Sequence, residues 1–192
     1  MALPHIKNST AGINLNYEPV NKSIFQVSFD LPNGIKNEFS SDIAILTEHV
    51  QKVSGLDQLY KTPETDIQKF MGTSRSYIKP TVGDTHVDFE IEFSLNLRNG
   101  TDNYILKLFR AWAALGYDLS SGKRSLKKDY TAPHMVISIA NRAGDIFQEI
   151  KFKDVMLNGA LSGGISELDY TSDDMCTLTV KFRSDYWEEV NV

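Results

Sequence analysis

The sequence predicts a mainly β fold: an antiparallel β-sandwich or barrel of about six strands with one packed α-helix and long loops or arms. Three observations carry this expectation. Val87-Asp-Phe-Glu-Ile-Glu-Phe-Ser-Leu95 alternates so that Val87, Phe89, Ile91, Phe93 and Leu95 share one face, with Asp88, Glu90, Glu92 and Ser94 on the other. Leu178, Val180 and Phe182 alternate with Thr177, Thr179, Lys181 and Arg183 in the same way. Helical spacing is clear in one segment, where Ile105, Leu108, Phe109, Trp112 and Leu115 form a stripe opposite Asn103, Lys107, Arg110 and Ala114.

The elements follow in order. The chain has 192 residues, enough for one domain with a sizeable core, and 1–192 is read as a single domain. Residues 1–20 are polar and aperiodic, an N-terminal arm. Ile24–Leu31 is a strand, and Pro32-Asn33-Gly34 supplies turn chemistry after it. Ile43–Val53 is mixed in pattern and fits a second strand. The segment 54–82 holds Gly55, Pro63, Gly72 and Pro80; it is long for a structureless loop, so it is read as an extended loop or hairpin arm. Gly83-Asp84 closes it before the Val87–Leu95 strand. Thr101 or Asp102 can cap the helix, and Gly116 suits a left-handed stop. A basic loop, Lys123–Lys128, leads to a strand at His134–Ala140. A turn at Asn141–Asp145 joins it to a strand at Ile146–Met156. The Leu157–Gly164 loop contains three glycines, and Ser172-Asp173-Asp174 turns the chain into the final strand, Met175–Glu188.

Bulk properties narrow the function. A net charge of −5 argues against a dedicated nucleic-acid binder, which needs surplus Lys and Arg to displace counterions. No apolar run approaches the roughly 20 residues of a membrane span. Met-Ala-Leu-Pro-His lacks the basic and apolar stretches of a signal peptide. Cys176 is the single cysteine, which fits a reducing compartment, and the glycosylation-like triplets at Asn8, Asn21 and Asn99 are read as chance. His5, His49, His86 and His134 sit in unrelated contexts, so no metal site and no cofactor is expected. Gly159–Gly164 is not followed by the Lys-Ser/Thr of a phosphate loop, and no nucleophile elbow occurs. The chain is read as non-enzymatic.

Four features remain. Asp88, Glu90 and Glu92 are either a solvated strand face or a surface kept negative. Lys123–Lys128 is either a solvated loop or a patch for an acidic neighbour. Asp185-Tyr186-Trp187-Glu188 stands close to the chain end, where polar, frayed residues are usual; it is a core plug or an anchor against another subunit. The helix residues Leu108, Phe109 and Trp112 are core.

Taken together, Ile24-Phe-Gln-Val, the Asp88–Leu95 strand, Leu108-Phe-Arg-Ala-Trp112, Tyr130, Ile146-Phe-Gln-Glu-Ile-Lys-Phe-Lys-Asp-Val155, Gly-Ile-Ser-Glu-Leu-Asp-Tyr170 and the closing Thr-Val-Lys-Phe-Arg-Ser-Asp-Tyr-Trp-Glu188 resemble the tail tube proteins of contractile-tailed bacteriophages and related contractile injection systems. The resemblance spans Ile24 to Glu188. The 54–82 segment is longer than in compact members, and Leu157–Gly164 is rich in glycine where a Trp-Pro is common. The resemblance implies a structural subunit that forms homohexameric rings stacked into a tube. It implies sheath, baseplate or tail-terminator and tape-measure proteins as partners, with DNA as transient cargo in the lumen. It also implies assembly in the host bacterial cytoplasm and a final place in the tail of a virion. Within that reading Asp88, Glu90 and Glu92 line the lumen, where negative charge repels phosphates. Two alternatives stay open: the inner tube of a contractile secretion or toxin-delivery machine, and a monomeric ligand-binding β-barrel.

Overall fold

Alternation is converted directly into a sheet. In the computed structural model, which describes residues 21–39, 43–60, 64–79, 85–97, 100, 102–117, 122–163 and 175–191, every second residue of strand β5 (Val87–Ser94) is buried. Its neighbours are all antiparallel. The order is β1 (Phe25–Phe29), β6 (Ala132–Ala140), β7 (Ile146–Leu157), β9 (Thr177–Ser184), β5 and β2 (Val50–Ser54). Two short strands lie off this path: β8 (Ser162–Gly163) on β9, and β10 (Tyr186–Asn191) on β7. A separate hairpin pairs β3 (Thr65–Phe70) with β4 (Thr73–Ile78).

The main sheet folds over on itself. Phe29 on β1 and Phe93 on β5, far apart in strand order, have ring centroids 5.8 Å apart. Phe89 stacks on Phe152 at 4.5 Å and on Phe182 at 5.5 Å, so strands β5, β7 and β9 share one aromatic interior. That interior also holds Val27, Ile91, Met135, Ile137, Ile150, Leu178 and Val180. The mainly β expectation holds, but the sheet is not a closed barrel: no pairing joins β1 to β2 among the described residues. Instead a short helix packs against β1 and runs into β2.

The helix count departs from the sequence reading, as four α-helices are present among the described residues where one was expected. These are α1 (Asn33–Phe39), α2 (Ile43–Glu48), α3 (Tyr104–Gly116) and α4 (Lys127–Tyr130), with a 3-10 turn at Leu56–Tyr60. Pro32-Asn33-Gly34 starts a helix rather than a reversal, because the Pro32 carbonyl accepts from the amides of Ile35 and Lys36. Ile43–Val53, expected as one strand, divides into α2 and β2. Helices of one or two turns show too few repeats for a 3.6-residue period to be legible. Strand number also exceeds the expected six or so. The added strands are the hairpin, the two-residue β8, and the division of the final strand at Asp185.

Helix α3 buries Leu108, Phe109 and Trp112. Phe109 lies 5.0 Å from Phe93, and Trp112 lies 5.9 Å from Phe182, so the helix closes the open side of the folded sheet. Its cap is Asn103, not Thr101 or Asp102: the Asn103 Oδ1 accepts from the Leu106 amide at 3.1 Å. Gly116 is the last helical residue and is not left-handed; Tyr117 follows in extended backbone and bridges to Arg124. Two buried side chains tie the helices together. Trp112 Nε1 donates to the Tyr130 carbonyl at 2.8 Å, and the Tyr104 hydroxyl donates to the Phe39 carbonyl at 2.9 Å. Both satisfy carbonyls that helix ends leave free. The 1–20 arm and the Ser172–Asp174 turn lie outside the described residues.

Candidate functional surfaces

Three surfaces stand out. The first is the outward face of β2, β5 and β9. The register sets Asp88 opposite Arg183, Glu90 opposite Lys181, and Glu92 between Thr179 and Lys52. Arg183 holds Asp88 with two contacts of 2.7 Å, from Nε to Oδ1 and from Nη2 to Oδ2, a forked geometry suited to a carboxylate. Lys181 Nζ lies 3.0 Å from Glu90 Oε1. Asn158 adds a 3.1 Å bond to Asp88. The hydrogen bonds from Arg183 lower the Asp88 pKa, and Asp88 in turn raises that of Arg183. Two of the three carboxylates that read as a negative row, Asp88 and Glu90, are therefore compensated by cations on the neighbouring strand β9. Gly55 borders this face with φ +87, and a Cβ there would stand 2.9 Å from the Asp88 carbonyl.

The second surface is the terminal strand. Both β9 and β10 run along the same side of β7, from Leu157 opposite Phe182 to Gln148 opposite Asn191, with the break at Asp185. Between these stretches Asp154 has φ 52, left-handed backbone at the point where the pairing of β7 passes from β9 to β10. Trp187 stands opposite Phe152 and packs on the core, whereas Tyr186 is half-exposed. Each residue of the aromatic-acidic motif has a partner, and Glu188 and Tyr186 share one. Asp185 pairs with Lys127 of α4. Glu188 accepts from Lys153 at 2.9 Å, and that same ammonium sits 5.4 Å from the Tyr186 ring centroid. These contacts lower the pKa of Glu188 and raise those of Lys153 and Lys127. The motif fastens the terminal strand to its own subunit, while the backbone edge of β10 away from β7 meets no described strand.

The third surface is the β3–β4 hairpin, which lies within the 54–82 segment read from the sequence as an extended loop or hairpin arm. All twelve of its strand residues are exposed. They include Ile67 and Ile78 on one face and Phe70 and Tyr77 on the other, and Met71 at the tip is 100% exposed. The available signal was the Met71-Gly72 pair between two short runs, Thr65–Phe70 and Thr73–Ile78, each holding Thr, Ile and an aromatic residue.

Within the basic run, Lys127 is engaged by Asp185. Among the described residues no group of three His, Cys, Asp or Glu side chains is placed to hold a metal ion, and no helix is long and apolar enough to cross a membrane.

No protein-family profile and no curated sequence matches the chain. Solved structures do. A chain of the sheath–tube complex of an extracellular contractile injection system, PVC, in its extended state, matches with TM-score 0.57 and 15% identity over 95% of this chain and 98% of that one. The tube-terminating cap of the anti-feeding prophage matches at 0.56, with 12% identity over 95% and 98%. The 6-fold symmetrised baseplate of the same prophage matches at 0.55, with 15% identity over 92% and 98%. The fold of this chain is therefore one found in the tube-bearing assemblies of contractile injection systems.

Proposed function

We propose that this chain is the tube subunit of a contractile machine, one domain that self-associates into six-membered rings stacked as a hollow tube. The single observation that carries the reading is the hairpin. An isolated two-stranded hairpin is marginal in water at best, yet this one exposes Ile67, Phe70, Met71, Tyr77 and Ile78. A second copy, in the neighbouring ring, is the occupant that covers them. The uncovered β10 edge supplies a further joint, since ring closure removes the liability of an open edge. The six-fold symmetry of one matched assembly supports the ring number. A monomeric ligand-binding barrel is disfavoured because aromatic side chains fill the interior.

In this reading Asp88, Glu90 and Glu92 belong to the lumen wall, and sheath, baseplate, terminator and tape-measure proteins are the partners. Where the machine is a phage tail, DNA is the cargo and the virion tail is the location. The protein-delivery alternative gains from a specific observation: Asp88 and Glu90 are paired with Arg183 and Lys181, and Lys52 stands in register with Glu92, so the row lacks the full repulsion that suits DNA. Native mass measurement and electron microscopy of the purified chain test the assembly. Six-fold rings at multiples of the 21.6 kDa subunit are expected; a monomer at every concentration refutes it.

A further inference from the structure

The outward positions of β2, β5 and β9 are Lys52 and Ser54, then Asp88, Glu90, Glu92 and Ser94, then Thr177, Thr179, Lys181 and Arg183. Every one is charged or hydroxylated, and the three carboxylates are matched by three cations. This is not the general character of the molecule, whose hairpin exposes five large apolar residues. We propose that this face is a self-neutralised, non-adhesive wall that holds off charged polymers of either sign and apolar chains alike. The setting of that wall rests on the tube reading, but the surface property belongs to the single subunit.

The physical case is local. Lys181 and Glu90 lie 3.0 Å apart, and Arg183 and Asp88 2.7 Å, so each pair is a compact dipole whose field dies within a few ångströms. An uncompensated row of three charges acts out to about 8 Å at physiological salt. Nucleic acid gains affinity by giving its phosphates to free Lys and Arg, and here Arg183 and Lys181 are already held. A basic protein likewise meets no free carboxylate at Asp88 or Glu90. An apolar segment finds no wholly apolar side chain on these positions to bury against, only Ser and Thr beside charged groups. Cargo crossing such a wall is selected by size and shape rather than by charge.

Binding of a short duplex DNA and of lysozyme, a small basic protein, to the full chain at low salt tests this by fluorescence anisotropy. Asp88→Asn with Glu90→Gln releases Arg183 and Lys181, and should tighten DNA binding about tenfold with a salt slope steeper by about two, one per freed phosphate contact. Lys181→Gln with Arg183→Gln should tighten lysozyme binding by a similar factor. The exchanged pair, Asp88→Arg with Arg183→Asp, keeps the balance and should behave as wild type. If circular dichroism shows either double variant unfolded, Glu90→Gln and Lys181→Gln alone, at the more exposed pair, should give smaller shifts in the same directions. Unchanged binding in the folded variants overturns the proposal. So does an exchanged pair that binds DNA as the first variant does, or wild-type DNA binding that is lost with Arg183 and Lys181. A tube structure with this face on the outer wall refutes the lumen reading and leaves these binding results standing.

Discussion

Asp88 shows how much one residue's partners decide. Its folded pKa is lowered by hydrogen bonds from Arg183, so its stabilising contribution is present above the ordinary carboxylate value of about 4 and is lost as pH falls through the folded value. Both side chains are more than a third exposed, which keeps the contribution small. The melting-temperature gap between wild type and Asp88→Asn should be constant from neutrality down to the ordinary carboxylate range and close as pH falls through the lowered folded value; a gap that persists in strong acid contradicts the ion pair. Gly55 makes a steric demand instead. With φ +87 and the Asp88 carbonyl 2.9 Å from a Cβ, Gly55→Ala should cost about 1–3 kcal/mol in denaturant unfolding. Trp187 is half-buried against Phe152, and Trp187→Ala should cost about 2 kcal/mol whether or not the chain assembles. A cost seen only in the assembled state would make it a subunit contact.

At the scale of elements, the hairpin and the terminal strand have opposite economies. The terminal strand satisfies its motif internally, through Lys127, Lys153 and Phe152. The hairpin's own bonds among the described residues are local to it: its ladder, the 2.8 Å bond from the Thr73 hydroxyl to the Phe70 carbonyl at the turn, and the 2.6 Å pair of Lys79 with Glu64 at its base. Phe70→Ser with Tyr77→Ser should leave subunit stability within about 0.5 kcal/mol, as exposed substitutions do, while abolishing stacking of rings in sedimentation. Normal stacking by that variant removes the hairpin from the joint. The long elements were legible for a plain reason: β5, β9 and α3 each repeat their period several times. Helices α1, α2 and α4 complete at most two turns, and Pro32-Asn33-Gly34 carries the same residues whether the chain reverses or starts a helix.

Over the whole molecule, a subunit with an exposed apolar hairpin and an open β10 edge should gain stability from its own copies. Its melting temperature should rise with protein concentration, since anything that binds only the folded state stabilises it by mass action. A midpoint independent of concentration over the range where rings are seen would mean that assembly adds no binding energy to the fold.

By itself the sequence determined the mainly β class, the inward faces of β5 and β9 and the stripe of α3, because a periodic pattern of burial is written locally. It also showed that Asp88, Glu90 and Glu92 share a face. Which charges oppose them was decided only by the tertiary structure. Lys181 and Arg183 lie about ninety positions along the chain from their partners and face them only because β9 inserts between β7 and β5. The same holds for the chain end, where a single predicted strand breaks at Asp185 and its second half binds β7 beyond the end of β5. Cross-strand partnership is set by topology and register, and neither is encoded in any one segment.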